Sequence, residues 1–165
     1  MWKQMMNNKN TYISPEEQTE YEKAKAKALT LLSYKEYTSG ELTKRLQQSV
    51  SPEAAEQAVE RMVSLGFIND EDYAERYAGK LAAKGFGEWR IRMEMRRKGL
   101  DPDTIDFTLD HLEADPVEQA REVLEKKYPL WQEDERVKRR AYGALARRGF
   151  RPEEIRQAMT GLEFE

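Results

Sequence analysis

Apolar residues recur along this chain at the spacing of helix turns, and short polar stretches separate the runs. Ala24, Ala28 and Leu32 fall at i, i+4 and i+8, followed by Leu42 and Leu46 and then by Ala55, Val59 and Met62. A second series runs Tyr73, Tyr77 and Leu81, then Ile91 and Met95, then Ile105, Leu109 and Leu112. A third runs Val117, Ala120 and Leu124, then Val137, Ala141 and Leu145, then Ile155, Met159 and Leu162. Steps of three and four place such residues on one face of a helix. Alternating, β-branched stretches of the kind that form strands are nearly absent, so the pattern predicts an all-α chain in which three helices recur three times.

The punctuation between the runs agrees. Ser14-Pro15, Ser51-Pro52 and Asp101-Pro102 each put a capping residue before a proline at the first helical position, with acids following in the first turn, where the helix dipole favours them. Thr38-x-x-Glu41 and Asp115-x-x-Glu118 have the form of capping boxes. Arg151-Pro152-Glu153-Glu154 keeps the proline and acids but lacks the cap residue. One phrase is written twice, as KGLDPDTIDFTL from Lys98 and RGFRPEEIRQAM from Arg148, with a weaker copy, QSVSPEAAEQAV, from Gln48. Its prolines, Pro52, Pro102 and Pro152, are 50 residues apart. Gly99 and Gly149 suit the left-handed position that ends a helix, so each phrase predicts a helix stop, a tight turn and a helix start. The first copy has Ser49 in place of glycine, with Leu46 one residue nearer to it than Met95 is to Gly99, which predicts an altered turn.

A three-helix unit of about 50 residues buries little surface alone, so tandem units pack on their neighbours. The expected architecture is three such units forming an elongated, curved array. Residues 15–64, 65–113 and 114–165 are the expected units, after a disordered tail at 1–14 that contains Trp2, Met5 and Met6.

Composition narrows the chemistry. Of 165 residues 36% are charged and none is cysteine, which excludes disulfides and thiolate metal sites. No apolar run reaches the length of a signal-peptide core or a membrane span, and the chain is expected to be soluble and cytoplasmic. The net charge of -3 conceals segregation. Residues 76–98 carry eight cations against Glu88 and Glu94; residues 101–118 carry only acids; residues 136–151 carry seven cations and no acid. Such blocks form solvated faces or meet a partner with phosphates or complementary charge.

Catalysis finds no support. The single histidine, His111, lies among acids near a helix end, and no nucleophile and base stand out. Gly85-Phe86-Gly87 lacks the third glycine and the preceding strand of a dinucleotide fingerprint, and is better read as the turn into a helix near Glu88. Neither an enzyme nor a cofactor or metal site is expected.

What remains is surface recognition. Arg136, Arg140, Gly143 and Arg147 form one stripe of a helix, away from Val137, Ala141 and Leu145. In the middle unit Arg92 and Arg96 lie one turn apart, flanked by Arg90 and Arg97, while Ile91 and Met95 face the core. Arginine suits bidentate contact with carboxylates or phosphates. Trp89 is read as a core residue in preference to an exposed contact. A basic helix in a three-helix unit also resembles a helix-turn-helix reader, which keeps DNA binding open.

Three stretches carry a family resemblance. Phe67-Ile68-Asn69-Asp70-Glu71-Asp72-Tyr73-Ala74, then Lys84-Gly85-Phe86-Gly87-Glu88-Trp89-Arg90-Ile91, then Met95-Arg96-Arg97-Lys98-Gly99-Leu100 resemble the central signature of the bacterial RecX regulatory proteins. Asn69 stands where that signature has an acid. The resemblance covers residues 20–162, is strongest over 65–112, and extends to Ala28, Leu32, Tyr37 and Thr38-Ser39-Gly40-Glu41-Leu42 in the first unit. The signature residues Phe67, Ile68, Asn69, Asp70, Tyr73, Ala74, Gly85 and Gly99 are assigned structural roles. Asn69 and Asp70 start a helix that turns Tyr73 and Tyr77 inward, and Phe67 and Ile68 fill the joint between the first two units.

The resemblance implies a monomeric partner of the RecA recombinase, chiefly of its filament on single-stranded DNA. It implies that the chain modulates, and most often inhibits, ATP hydrolysis and strand exchange, and so affects recombination, DNA repair and the SOS response. Arg90, Arg92, Arg96, Arg97, Arg136, Arg140 and Arg147 are the candidate contacts to RecA or DNA. The alternatives are a DNA-binding helical module acting without RecA, to which weak direct DNA binding would belong, and a helical adaptor for another protein.

Overall fold

The computed structural model describes residues 14–160, which hold nine helices and no strand. They are α1 (Pro15–Tyr34), α2 (Ser39–Leu46), α3 (Pro52–Ser64), α4 (Asp70–Ala83), α5 (Glu88–Arg97), α6 (Pro102–Asp110), α7 (Pro116–Lys127), α8 (Glu135–Arg147) and α9 (Pro152–Thr160). Trp2, Met5, Met6 and Leu162 lie outside the described residues.

Most starts have a local cause. Ser14 and Glu17 form a reciprocal box, the hydroxyl accepting from the Glu17 N–H at 3.1 Å and the carboxylate accepting from the Ser14 N–H at 2.8 Å. The Thr38, Ser51, Asp101, Asp115 and Asp134 side chains accept from backbone N–H groups in the first turns of α2, α3, α6, α7 and α8. At α9, where Arg151 offers no acceptor, its own backbone N–H donates to Glu154 at 3.4 Å.

Four helices end alike. Gly66, Gly85, Gly99 and Gly149 have φ of 80°, 84°, 76° and 93°, and the next residue's N–H reaches back five positions. Phe67 donates to Met62 O, Phe86 to Leu81 O, Leu100 to Met95 O and Phe150 to Leu145 O, at 3.0 to 3.3 Å. These bonds satisfy carbonyls that the helix itself leaves open. The copy at Ser49 differs, as its sequence predicts. Ser49 does not enter the left-handed region, and the Ser49 and Val50 N–H groups share the Leu46 carbonyl at 3.0 and 3.1 Å.

By contact the chain divides into a unit ending at Asn69 and a unit beginning at Asp70. The first packs α1, α2 and α3 around Leu42, Leu46, Val59 and Met62, with Ile68 closing the core. The second holds two three-helix domains, α4–α6 around Leu81, Ile91, Met95 and Ile105, and α7–α9 around Leu124, Leu145, Phe150 and Ile155. Tyr73 and Tyr77 pack beside the α4–α6 core with ring centroids 5.7 Å apart. Ile68 is buried, whereas Phe67 is 53% exposed. With Gly66 left-handed, the Phe67 amide turns back into α3 and only Ile68 reaches the core.

Candidate interaction surface

Within the second unit, the turn joining α4 to α5 meets the turn joining α8 to α9. The Gly87 N–H donates to Arg148 O at 2.7 Å, and the Trp89 N–H donates to Gly149 O at 3.2 Å. Gly87 is the N-cap of α5 and has no side chain to cap with, so the third domain's backbone satisfies the amides that this helix start leaves open. Reciprocally, the Arg148 guanidinium donates to Lys84 O at 3.1 Å and Gly85 O at 3.3 Å, just past the end of α4. The Arg148 and Arg90 guanidiniums lie 5.6 and 5.3 Å from the centre of the Phe86 ring. Arg151 reaches Glu88 at 3.2 Å.

These contacts divide the candidate arginines. Arg90 pairs with Glu94 at 3.0 Å. Arg92 bridges Asp106 on α6 and Glu88 one turn back, and the hydrogen bond to Asp106 raises its pKa above the ordinary guanidinium value. Both are engaged inside the second unit. Arg97 makes a 3.6 Å contact with Glu94 but remains 78% exposed, and Arg96 is exposed with no side-chain partner among the described residues. On α8, Arg136, Arg140 and Arg147 are exposed, as are Lys138 and Arg139, and none of the five side chains makes a hydrogen bond or ion pair among the described residues. Gly143 keeps the α8 stripe low between Arg140 and Arg147, whose Nη1 lies 3.3 Å from where a Gly143 Cβ would stand.

Trp89 departs from expectation. It is 61% exposed, because Ile91 and Met95 take the core face of α5 and Trp89 is two residues out of phase with them. It borders a shallow cleft of about 370 Å³, lined also by Glu88, Arg92, Phe150, Arg151 and Pro152. Met93, one turn on, is likewise exposed. Tyr142 joins the basic face of α8 with partial exposure. The sequence signal for Met93 and Tyr142 was their phase, since each falls outside the run of core residues on its helix.

His111 caps the end of α6, stacked on Phe107 with ring centroids 4.1 Å apart and with Nδ1 2.8 Å from Phe107 O. Among the described residues no three His, Asp or Glu side chains group as metal ligands, and no helix is long and apolar enough to cross a membrane.

Three family models match in tandem: RecX, first three-helix domain, over residues 24–62; RecX, second three-helix domain, over 69–109; and RecX, third three-helix domain, over 113–159. Among curated proteins, the regulatory protein RecX of Trichlorobacter lovleyi is 40% identical over 137 residues, covering 79% of this chain and 89% of that protein. That of Chromobacterium violaceum is 36% identical over 138 residues, covering 83% and 89%. That of Haemophilus influenzae is 34% identical over 131 residues, covering 77% and 86%. The crystal structure of RecX from Lactobacillus salivarius shares the fold, with a TM-score of 0.76 at 22% identity over 90% of this chain and 99% of that one. With every helical domain matched in order, and relatives this similar along most of their length, the chain belongs to the RecX family of regulatory proteins.

Proposed function

We propose that this protein binds the RecA recombinase as its filament on single-stranded DNA and restrains ATP hydrolysis and strand exchange, acting in the cytoplasm as a monomer. Family membership supplies the regulatory role. The observation that favours contact through charge is the α8 face, where Arg136, Lys138, Arg139, Arg140 and Arg147 stand exposed with no internal acid engaging them among the described residues. Arginines already held by Glu88, Glu94 and Asp106 give up an existing bond to meet a partner, whereas these give up only water. The contact surface is therefore the α8 face together with Arg96 on α5 and Arg97, whose 3.6 Å contact with Glu94 leaves it 78% exposed, and Arg90 and Arg92 support it from within.

The test is the rate of ATP hydrolysis by RecA on single-stranded DNA, titrated with the parent chain and with a variant carrying Arg136→Glu, Arg140→Glu and Arg147→Glu. The parent inhibits below one molecule per RecA protomer, and the variant needs at least about tenfold more protein, the equivalent of 1.4 kcal/mol, with unchanged helical content. Full inhibition by the variant removes α8 from the contact. A parent that leaves RecA unaffected but binds bare DNA, with affinity falling steeply as salt rises, establishes the independent DNA-binding module instead.

A further inference from the structure

We propose that the contact between the α4–α5 and α8–α9 turns is a positioning joint, locking the second and third three-helix domains into one rigid body, with Arg148 as its positioning residue. The functional half of this inference rests on the proposed contact with the RecA filament; the rigid coupling stands on the geometry alone.

The joint is built to exclude relative movement. Outside it, the second and third domains are connected by residues 111–115, which contain no helix. At the joint, the start of α5 donates to the Arg148 and Gly149 carbonyls of the turn that follows α8. Arg148 completes the exchange by placing its guanidinium on the two carbonyls that follow α4. Three glycines have no room for a side chain because the other domain occupies it. A Cβ on Gly87 would stand 2.5 Å from Gly149 C, Gly149 O and Phe150 N; one on Gly149 would stand 2.3 Å from Arg90 N; and one on Gly85 would stand 2.7 Å from Val123 Cγ2 on α7. At Gly87 and Gly149 the obstructing atoms are mainly backbone, which no rotamer change can move.

The consequence for binding is that the α5 face and the α8 face meet a partner together. Two contacts fixed on one body make the second intramolecular, which multiplies affinity by about 10² or more over a single contact when the spacing fits. A loosened joint keeps both faces tethered through residues 111–115 and loses only the part of that multiplication that depends on fixed spacing.

The full chain contains no cysteine, so Asp110→Cys on α6 and Gln157→Cys on α9, both exposed, give two unique spin-label sites. The parent is expected to give one narrow label-to-label distance distribution, Arg148→Ala a broad one at equal helical content, and Arg148→Gln, which retains one amide donor, an intermediate one. In the RecA assay, Arg148→Ala is expected to raise the half-inhibiting concentration about tenfold. The same change added to a chain already carrying Arg96→Glu and Arg97→Glu should add little, because only one face is left to coordinate. General structural damage would instead weaken both backgrounds equally. A broad distribution in the parent refutes the rigid joint, a narrow one in both Arg148 variants refutes Arg148 as the residue that positions it, and equal loss in both backgrounds refutes the effect of the joint on binding. A parent that does not inhibit RecA refutes the proposed function, and the distance distributions still decide the joint.

Discussion

Replacing Gly66, Gly87 and Gly149 by alanine one at a time separates backbone strain from the closeness of the joint. Gly66 has φ of 80°, and a methyl added there would meet nothing within 4 Å, so Gly66→Ala bears only the left-handed penalty. That penalty is about 1–2 kcal/mol, partly offset by the reduced freedom of the unfolded chain, for a net loss of about 1 kcal/mol. Gly87 is the opposite case. Its φ of -85° is open to any residue, yet its Cβ would lie 2.5 Å from three backbone atoms of the third domain. Relief requires the turns to separate by about 1 Å, which carries the Gly87 N to Arg148 O distance from 2.7 Å past hydrogen-bonding range and weakens the Trp89 to Gly149 bond beside it. Two bonds at about 0.5–1.5 kcal/mol each, together with the lost packing, give about 2–3 kcal/mol. Gly149, at φ 93° with Arg90 N 2.3 Å from its Cβ, combines both penalties and is expected to lose about 3–4 kcal/mol.

The assay is urea unfolding followed by far-UV circular dichroism, with amide exchange measured at Gly87 and Trp89. Because the chain forms two units divided at Asn69 and Asp70, Gly66→Ala should move the transition of the first and Gly87→Ala that of the second. In Gly87→Ala the amides at position 87 and of Trp89 should exchange faster, since an N-terminal helix amide without its acceptor is open to water. A Gly87→Ala chain as stable as the parent, with both amides still protected, refutes the tight joint.

Two carboxylates give predictions that depend on pH. Glu154 is 13% exposed and its Oε2 is buried without a hydrogen-bond partner; burial pushes its pKa up, opposed by the bond from the Arg151 N–H. A carboxyl with a raised folded pKa contributes most below the ordinary glutamate range, and that contribution is lost as pH rises through the folded value. Glu154→Gln is therefore expected to melt at or above the parent at pH 7, with the gap closing below about pH 4; a gap independent of pH refutes the desolvation cost. Asp101 caps α6, and the Thr104 N–H, then the Thr104 hydroxyl, hold its pKa below the usual range, so its contribution is present above that range and lost as pH falls through the folded value. Asp101→Ala should cost about 1 kcal/mol at pH 7 and less near pH 2; an equal cost at both, measured by urea unfolding, refutes the charged cap.

The helices and their grouping were legible because their ends are written in local chemistry: Ser-Pro and Asp-Pro starts, and glycine followed by an apolar residue at the stops. Much of the core was less visible. Ala54, Ala58, Ala74, Ala78, Ala82, Ala144 and Ala158 are all buried, yet alanine carries little apolar signal and is equally at home on a helix surface. The division of the arginines was legible only in part: Glu94 and Glu88 lie one helical turn from Arg90 and Arg92, but the other partners are distant in sequence. Arg92 finds Asp106, Arg148 finds Lys84 and Gly85, and Arg151 finds Glu88 only after the helices pack. One clue was present. Gly85 accounts for the left-handed turn, so Gly87, with negative φ, was a glycine that the turn did not require.

The repeated phrase also shows how copies of one turn acquire different work. Lys98-Gly99-Leu100-Asp101-Pro102 and Arg148-Gly149-Phe150-Arg151-Pro152 share the left-handed glycine, the buried apolar residue and the proline that opens a helix. In the first, the fourth residue is an aspartate that caps α6, and the turn serves its own domain. In the second, that position is Arg151, which gives up side-chain capping of α9 to reach Glu88 in the neighbouring domain, while Glu154 accepts the Arg151 backbone N–H in partial replacement. Lys98 approaches the Tyr77 ring of its own domain at 5.7 Å, whereas Arg148 reaches the neighbour's carbonyls. An ammonium is a point donor, while the guanidinium fork can donate to two carbonyls and lie against Phe86 at once. The outward changes at the two ends of this turn, Arg for Lys and Arg for Asp, leave the turn geometry intact and convert it from a helix connection into a contact between domains.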